Sequence, residues 1–82
     1  MTDQTIKLTA ENRSLHFAFA AGCEWAASLK PGDVFRGSHG EARHRGLGEN
    51  HTRFFGTGGQ VGLVDKQIFV SDDNTITSIK SR

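Results

Sequence analysis

The chain has 82 residues, with ten basic and nine acidic side chains and a single cysteine. That length admits one domain and not two. One cysteine excludes an internal disulfide and any four-cysteine zinc site. Leu, Ile, Val and Phe contribute 19 of the residues, above the roughly 20% below which chains tend to disorder, so a folded domain with a small core is expected.

Residues 1–7, MTDQTIK, hold an early acid and no apolar run, unlike a secretory signal. The longest apolar stretch, residues 17–23, falls far short of the roughly 20 residues that span a bilayer. With its lone thiol the chain is expected in the reducing cytoplasm, away from membranes.

Residues 4–20 admit two readings. Ile6 and Leu8 alternate with Lys7 and Thr9, and Leu15, Phe17 and Phe19 alternate with His16, Ala18 and Ala20, around the polar stretch 10–14. Strict period two on both sides of a polar segment is a β-hairpin pattern. The competing helix over 10–29, with Thr9 as N-cap, would align Leu15, Phe19, Cys23 and Ala26 but place Gly22 in its middle. The alternation favours the hairpin. Residues 23–30, CEWAASLK, then predict one short helix, because Ala and Leu are good helix formers and Pro31 forbids continuation. Pro31-Gly32 suits the central positions of a type II turn, and residues 33–36 read as the next strand.

Residues 37–50, GSHGEARHRGLGEN, show neither period and read as a long Gly/Arg/His-rich surface loop. Short strands are then expected at 52–55, 61–64, 67–70 and 75–79, with turns at 56–59, 65–66 and 71–74. The fold expected is mainly β: a single domain, residues 1–82, built as a five- to six-stranded antiparallel meander or small barrel with one short helix near 23–30. Its core would take in Ile6, Leu8, Leu15, Phe17, Phe19, Trp25, Leu29, Val34, Phe35, Val61, Leu63, Ile68, Val70 and Ile76.

Charge is distributed unevenly. Residues 36–62 carry Arg36, Arg43, Arg45 and Arg53 against Glu41 and Glu49, together with His39, His44 and His51, eight of the ten glycines and no lysine. Arginine presents a planar fork of donors that matches phosphate and stacks on bases, and glycines let backbone N–H groups approach an anion. Phe54 follows Arg53, and a cation beside an aromatic is the composition of a stacking platform. The whole chain has pI about 8.0, below the ~9 usual for a nucleic-acid-binding domain, which counts against a dedicated nucleic-acid binder.

Two other chemistries use the same residues. Three histidines with Glu41, Glu49 or Cys23 could ligate zinc, although their spacing fits no standard zinc signature. A His base with an Arg and a Glu could serve a small metal-independent ribonuclease, and Cys23 near a helix start could be an activated thiol, but a buried apolar cysteine is the commoner arrangement. The expected function is therefore a non-catalytic binding module without a cofactor. It would bind an acidic protein surface or a nucleic acid through Arg36, His39, Arg43, His44, Arg45, His51, Arg53 and Phe54. A small inhibitor or adaptor acting by protein–protein contact, of phage or mobile-element type, is the alternative. Homodimerisation through open sheet edges is a further expectation.

Overall fold

The structure, a computed structural model, describes the backbone of residues 10–82 and the side chains of residues 15–82. Three helices precede one antiparallel hairpin: α1 (Ala10–Ser28), α2 (Ser38–His44), α3 (Glu49–Leu63), β1 (Lys66–Val70) and β2 (Ile76–Ser81). The mainly-β expectation is therefore wrong. Among the described residues the sheet has two strands, not five or six, and helix dominates. The β-pattern at Ile6 and Leu8 lies outside the described residues.

α1 is the helix that the hairpin reading displaced. Ala18, Ala20, Ala21, Ala26 and Ala27 give it high intrinsic propensity. Ala18, Gly22, Trp25 and Ala26 form its buried stripe, at helical spacing. The apparent alternation of Phe17 and Phe19 was an accident of composition: Phe17 is 65% exposed and Phe19 half-buried. Of the segment 23–30, expected as a separate short helix, residues 23–28 are the last turns of α1 and residues 29–30 lie beyond it. Lys66 closes that end by donating from Nζ to the Ala26 carbonyl at 2.8 Å, a cation placed where the helix dipole is negative.

The chain then turns at Pro31-Gly32, where Gly32 has φ 99°. Residues 33–36 do not form a strand of their own. Only an isolated bridge, Val34 with Thr75, ties them to the hairpin. Phe35 turns inward and stacks on Trp25, with ring centroids 5.8 Å apart.

The expected loop at 37–50 folds as α2, a tight connection, and the entry to α3. Its end explains how so glycine-rich a segment is ordered. Gly46 N–H bonds the Arg43 carbonyl at 2.9 Å, Leu47 N–H bonds the Ala42 carbonyl at 3.1 Å, and Gly46 takes φ 79°. This is a Schellman ending, in which a left-handed residue lets two amides satisfy the last helical carbonyls while the following apolar residue folds back. Leu47 does so, packing against the cluster that contains Ala42.

α3 replaces three expected elements: strands at 52–55 and 61–64 and the turn at 56–59. Four of its residues are glycine, each costing roughly 1 kcal/mol of helix propensity relative to Ala. Packing compensates. A Cβ on Gly58 would fall on the Phe19 carbonyl of α1, and one on Gly22 of α1 would fall on the Phe55 carbonyl of α3. The two helices approach backbone to backbone, and only glycine permits it. Cys23 Sγ donates to the Gly58 carbonyl at 3.3 Å across the same contact.

The core lies between α1, α2 and α3 and comprises Ala18, Trp25, Ala26, Ala42 and Phe55, with Leu29, Phe35, Leu47 and Leu63 at its margin. Phe55 is fully buried and was missed from the sequence-based core; Val34, Val61 and Val70, which were included, are exposed. The hairpin is where strand patterning worked, since strands were expected at 67–70 and 75–79. Ile68 pairs with Ile79, and a bulge falls between Phe69 and Val70. No described helix is long and apolar enough to cross a membrane.

Candidate functional site

α2 and the first turns of α3 bring part of the arginine- and histidine-rich segment onto one surface. An open cleft of 480 Å³ is lined by His39, Arg43, Leu47, Glu49, Thr52 and Arg53, a volume within the range of small-ligand sites. Helical spacing makes the wall. His39 and Arg43 are four apart on α2, and Glu49, Thr52 and Arg53 share one face of α3. The His39 ring packs against α3 at Gly56, where a Cβ would collide with it.

The two cleft arginines are differently engaged. Arg43 is exposed and forms no ion pair among the described residues. Arg53 lies 3.7 Å from Glu49, but both side chains are largely exposed, and such a pair contributes about 0–1 kcal/mol. Thr52 is buried, its Oγ1 donating to the Leu47 carbonyl at 3.2 Å, which fixes the floor of the cleft. α3 opens on Gly48, which supplies no side-chain cap. The first N–H groups of the helix therefore keep their partial positive charge beside the cationic wall.

The other two arginines of residues 36–62, Arg36 and Arg45, are engaged within the fold. Glu41 is buried on α2 and accepts from Arg36 Nη1 at 3.3 Å and Arg45 Nε at 3.0 Å. The Arg45 guanidinium also lies over the Phe55 ring, 4.8 Å from its centroid. The geometry thus divides the arginines that the sequence grouped: Arg43 and Arg53 face the cleft, whereas Arg36 and Arg45 are held by Glu41. His44 is exposed at the end of α2 and His51 half-buried in the first turn of α3. Neither lines the cleft. Among the described residues no three His, Cys, Asp or Glu side chains could hold one metal ion, so the three histidines do not converge.

No family model, curated protein or solved structure matches this chain.

Phe54, named from sequence for its place beside Arg53, is 40% exposed, while its neighbour Phe55 is fully buried. The two rings diverge because successive helical residues are about 100° apart. A second pocket, of 340 Å³, is lined by Phe19, Arg53, Phe54 and Thr57. Arg53 borders both this pocket and the cationic cleft. Sequence reasoning missed Thr52, Leu47, Phe19 and Thr57 as lining residues. The helical spacing of Glu49, Thr52 and Arg53 was a visible signal, obscured by the glycines that follow. The pairing of Glu41 with Arg45 was also visible as an i,i+4 acid–base pair.

Proposed function

We propose that this protein is a non-catalytic binding module whose cleft between α2 and α3 takes a phosphate-bearing anion. The observation that carries the reading is the pair of arginines on one concave surface, one without an ion-pair partner among the described residues and the other only loosely paired. Arginine's planar fork can bond two oxygens of one phosphate, and the uncapped start of α3 adds N–H dipoles of the same sign. His39 supplies a further ring nitrogen on the wall. The fixed charge of the lining side chains is that of Arg43 and Arg53 less Glu49, a modest net positive. Affinity for a simple anion should accordingly be weak and salt-dependent.

Titration with inorganic tripolyphosphate at low salt, followed by amide NMR shifts, tests this. Shifts should map to His39, Arg43, Thr52 and Arg53. Arg43→Ala, an exposed substitution that leaves the fold intact by circular dichroism, should weaken binding at least tenfold. Glu49→Gln should tighten it several-fold by removing the competing carboxylate. Absence of shifts at low salt, or shifts confined to other surfaces, overturns the proposal. Displacement of tripolyphosphate by an acidic peptide of equal charge, at equal affinity, would make the partner an acidic protein surface.

A further inference from the structure

Resting on that anion-binding reading, we infer that the ligand is single-stranded nucleic acid, with its backbone across the cationic cleft and a base in the adjoining pocket of Phe19, Phe54 and Thr57. The cleft alone does not distinguish one polyanion from another. The neighbouring pocket does. It is an apolar recess with two aromatic walls, and it shares Arg53 with the cleft. A ligand that fills both carries an anion and an apolar group joined at short range, and two phenylalanines on the wall favour a flat ring as that group. A nucleotide is built that way: the phosphate meets Arg43 and Arg53, and the base meets the exposed face of Phe54. Arg53, at the boundary, can hold a phosphate while its planar face covers the edge of the base.

The exposure of Phe54 favours this occupant. A ring 40% exposed and walled by another aromatic offers a stacking surface without rearrangement of the core. Phe55, its neighbour, already fills the interior and anchors the helix turn that presents Phe54. Thr57, which lines the pocket, has its hydroxyl turned back onto the helix, donating to the Arg53 carbonyl at 2.9 Å. Among the described residues that line the pocket, only Arg53 and Thr57 have polar side chains. Stacking of this kind tolerates every base, so little sequence preference is expected. A duplex presents no free base face, so paired strands should bind no better than their charge alone allows.

Fluorescence anisotropy with a labelled single-stranded ten-mer, an abasic strand of equal length and inorganic tripolyphosphate separates the parts. The single strand should bind at least tenfold tighter than the abasic strand. Phe54→Ala should abolish most of that difference and leave abasic-strand and tripolyphosphate binding unchanged. Phe54→Leu, which keeps an apolar side chain but no ring, should behave as Phe54→Ala does, showing that the ring and not the burial matters. Arg43→Ala should weaken all three ligands and lower the dependence of log K on log salt by about 0.7, one phosphate's share for a single strand. Equal binding of intact and abasic strands, or an intact advantage that survives both Phe54 variants, overturns the base pocket while leaving the anion cleft standing. Failure of all three ligands to bind at low salt removes the cleft itself.

Discussion

Glu41 shows what one buried carboxylate does among cations. Its side chain is only 12% exposed, yet it accepts from two guanidinium groups that start on different parts of the chain, Arg36 before α2 and Arg45 after it. The carboxylate thereby fastens the two ends of a helix of seven residues that is too short to be stable alone. It also aims Arg45 across Phe55, which joins the ion pairs to the aromatic core of Trp25, Phe35 and Phe55. Glu41→Gln keeps the shape and removes the charge, leaving two guanidinium groups facing each other without their counterion. Charge-assisted hydrogen bonds contribute about 1.5–3 kcal/mol each, and both are weakened here, so a loss of about 2–3 kcal/mol is expected in urea unfolding. Arg45→Lys keeps the charge but loses the planar stack on the ring, for a loss nearer ~1 kcal/mol. Equal stabilities for wild type and Glu41→Gln would show that the cluster holds nothing together.

At the level of elements, the contact of α1 with α3 decides the fold, and glycine decides that contact. By helix propensity alone, replacing Gly58 with alanine should stabilise α3 by roughly 1 kcal/mol. By packing it should do the reverse, because the new methyl group meets the Phe19 carbonyl, a backbone atom that cannot turn aside. Gly58→Ala is expected to lose about 3 kcal/mol or more, and Gly22→Ala as much on the opposite wall. Thermal unfolding reads the sign directly, and a rise in Tm for either variant would contradict the close crossing. The same physics explains what could be read from the sequence. The hairpin was legible because its strands and its Ser71–Asp72–Asp73–Asn74 turn follow local rules, with Asn74 in the left-handed region at φ 64°. The turn at Pro31-Gly32 was legible on the same grounds. α3 was not, since glycines that mark turns locally serve here as a docking stripe set by a partner 35 residues away. α1 had a helical reading, but Gly22 counted against it for the same reason. Of the site, the residue types and the segment were visible. What was not visible was the division between Arg43 and Arg53 in the cleft and Arg36 and Arg45 on Glu41, because it depends on which face of α2 meets α3.

In the whole molecule, the helices and the hairpin are joined by few ties. Among the described residues these are the buried Ile76, the Lys66 bond to α1, and backbone bonds from Gly32 and Phe35 to the Ile76 and Asn74 carbonyls and from Ile76 to the Asp33 carbonyl. Val70 and Phe69 are exposed on the hairpin itself. A segment with so little buried apolar surface opens at lower free energy than the core it is attached to. The hairpin depends instead on its turn, where the Asp73 carboxylate accepts from the Ser71 hydroxyl and the Thr75 backbone N–H. Those bonds, that of Ser71 foremost and then those of Thr75, hold the Asp73 carboxyl below its ordinary value. A carboxylate with a lowered folded-state pKa contributes stability that is present above its unfolded value, near ~3.9, and is lost as pH falls through the folded value. Acid should therefore loosen the turn before it affects the helix pair. Methyl NMR of Val70 and Ile76 from pH 7 downward should report a transition below about pH 4, while the resonance of Ala26, in the α1–α3 core, stays in place through it. Asp73→Asn, neutral throughout, should remove that transition. The cleft and the Phe54 pocket sit on the helices, so ligand binding should survive the opening of the hairpin. Simultaneous loss of hairpin and helix signals in wild type would show instead that the molecule unfolds as one cooperative unit.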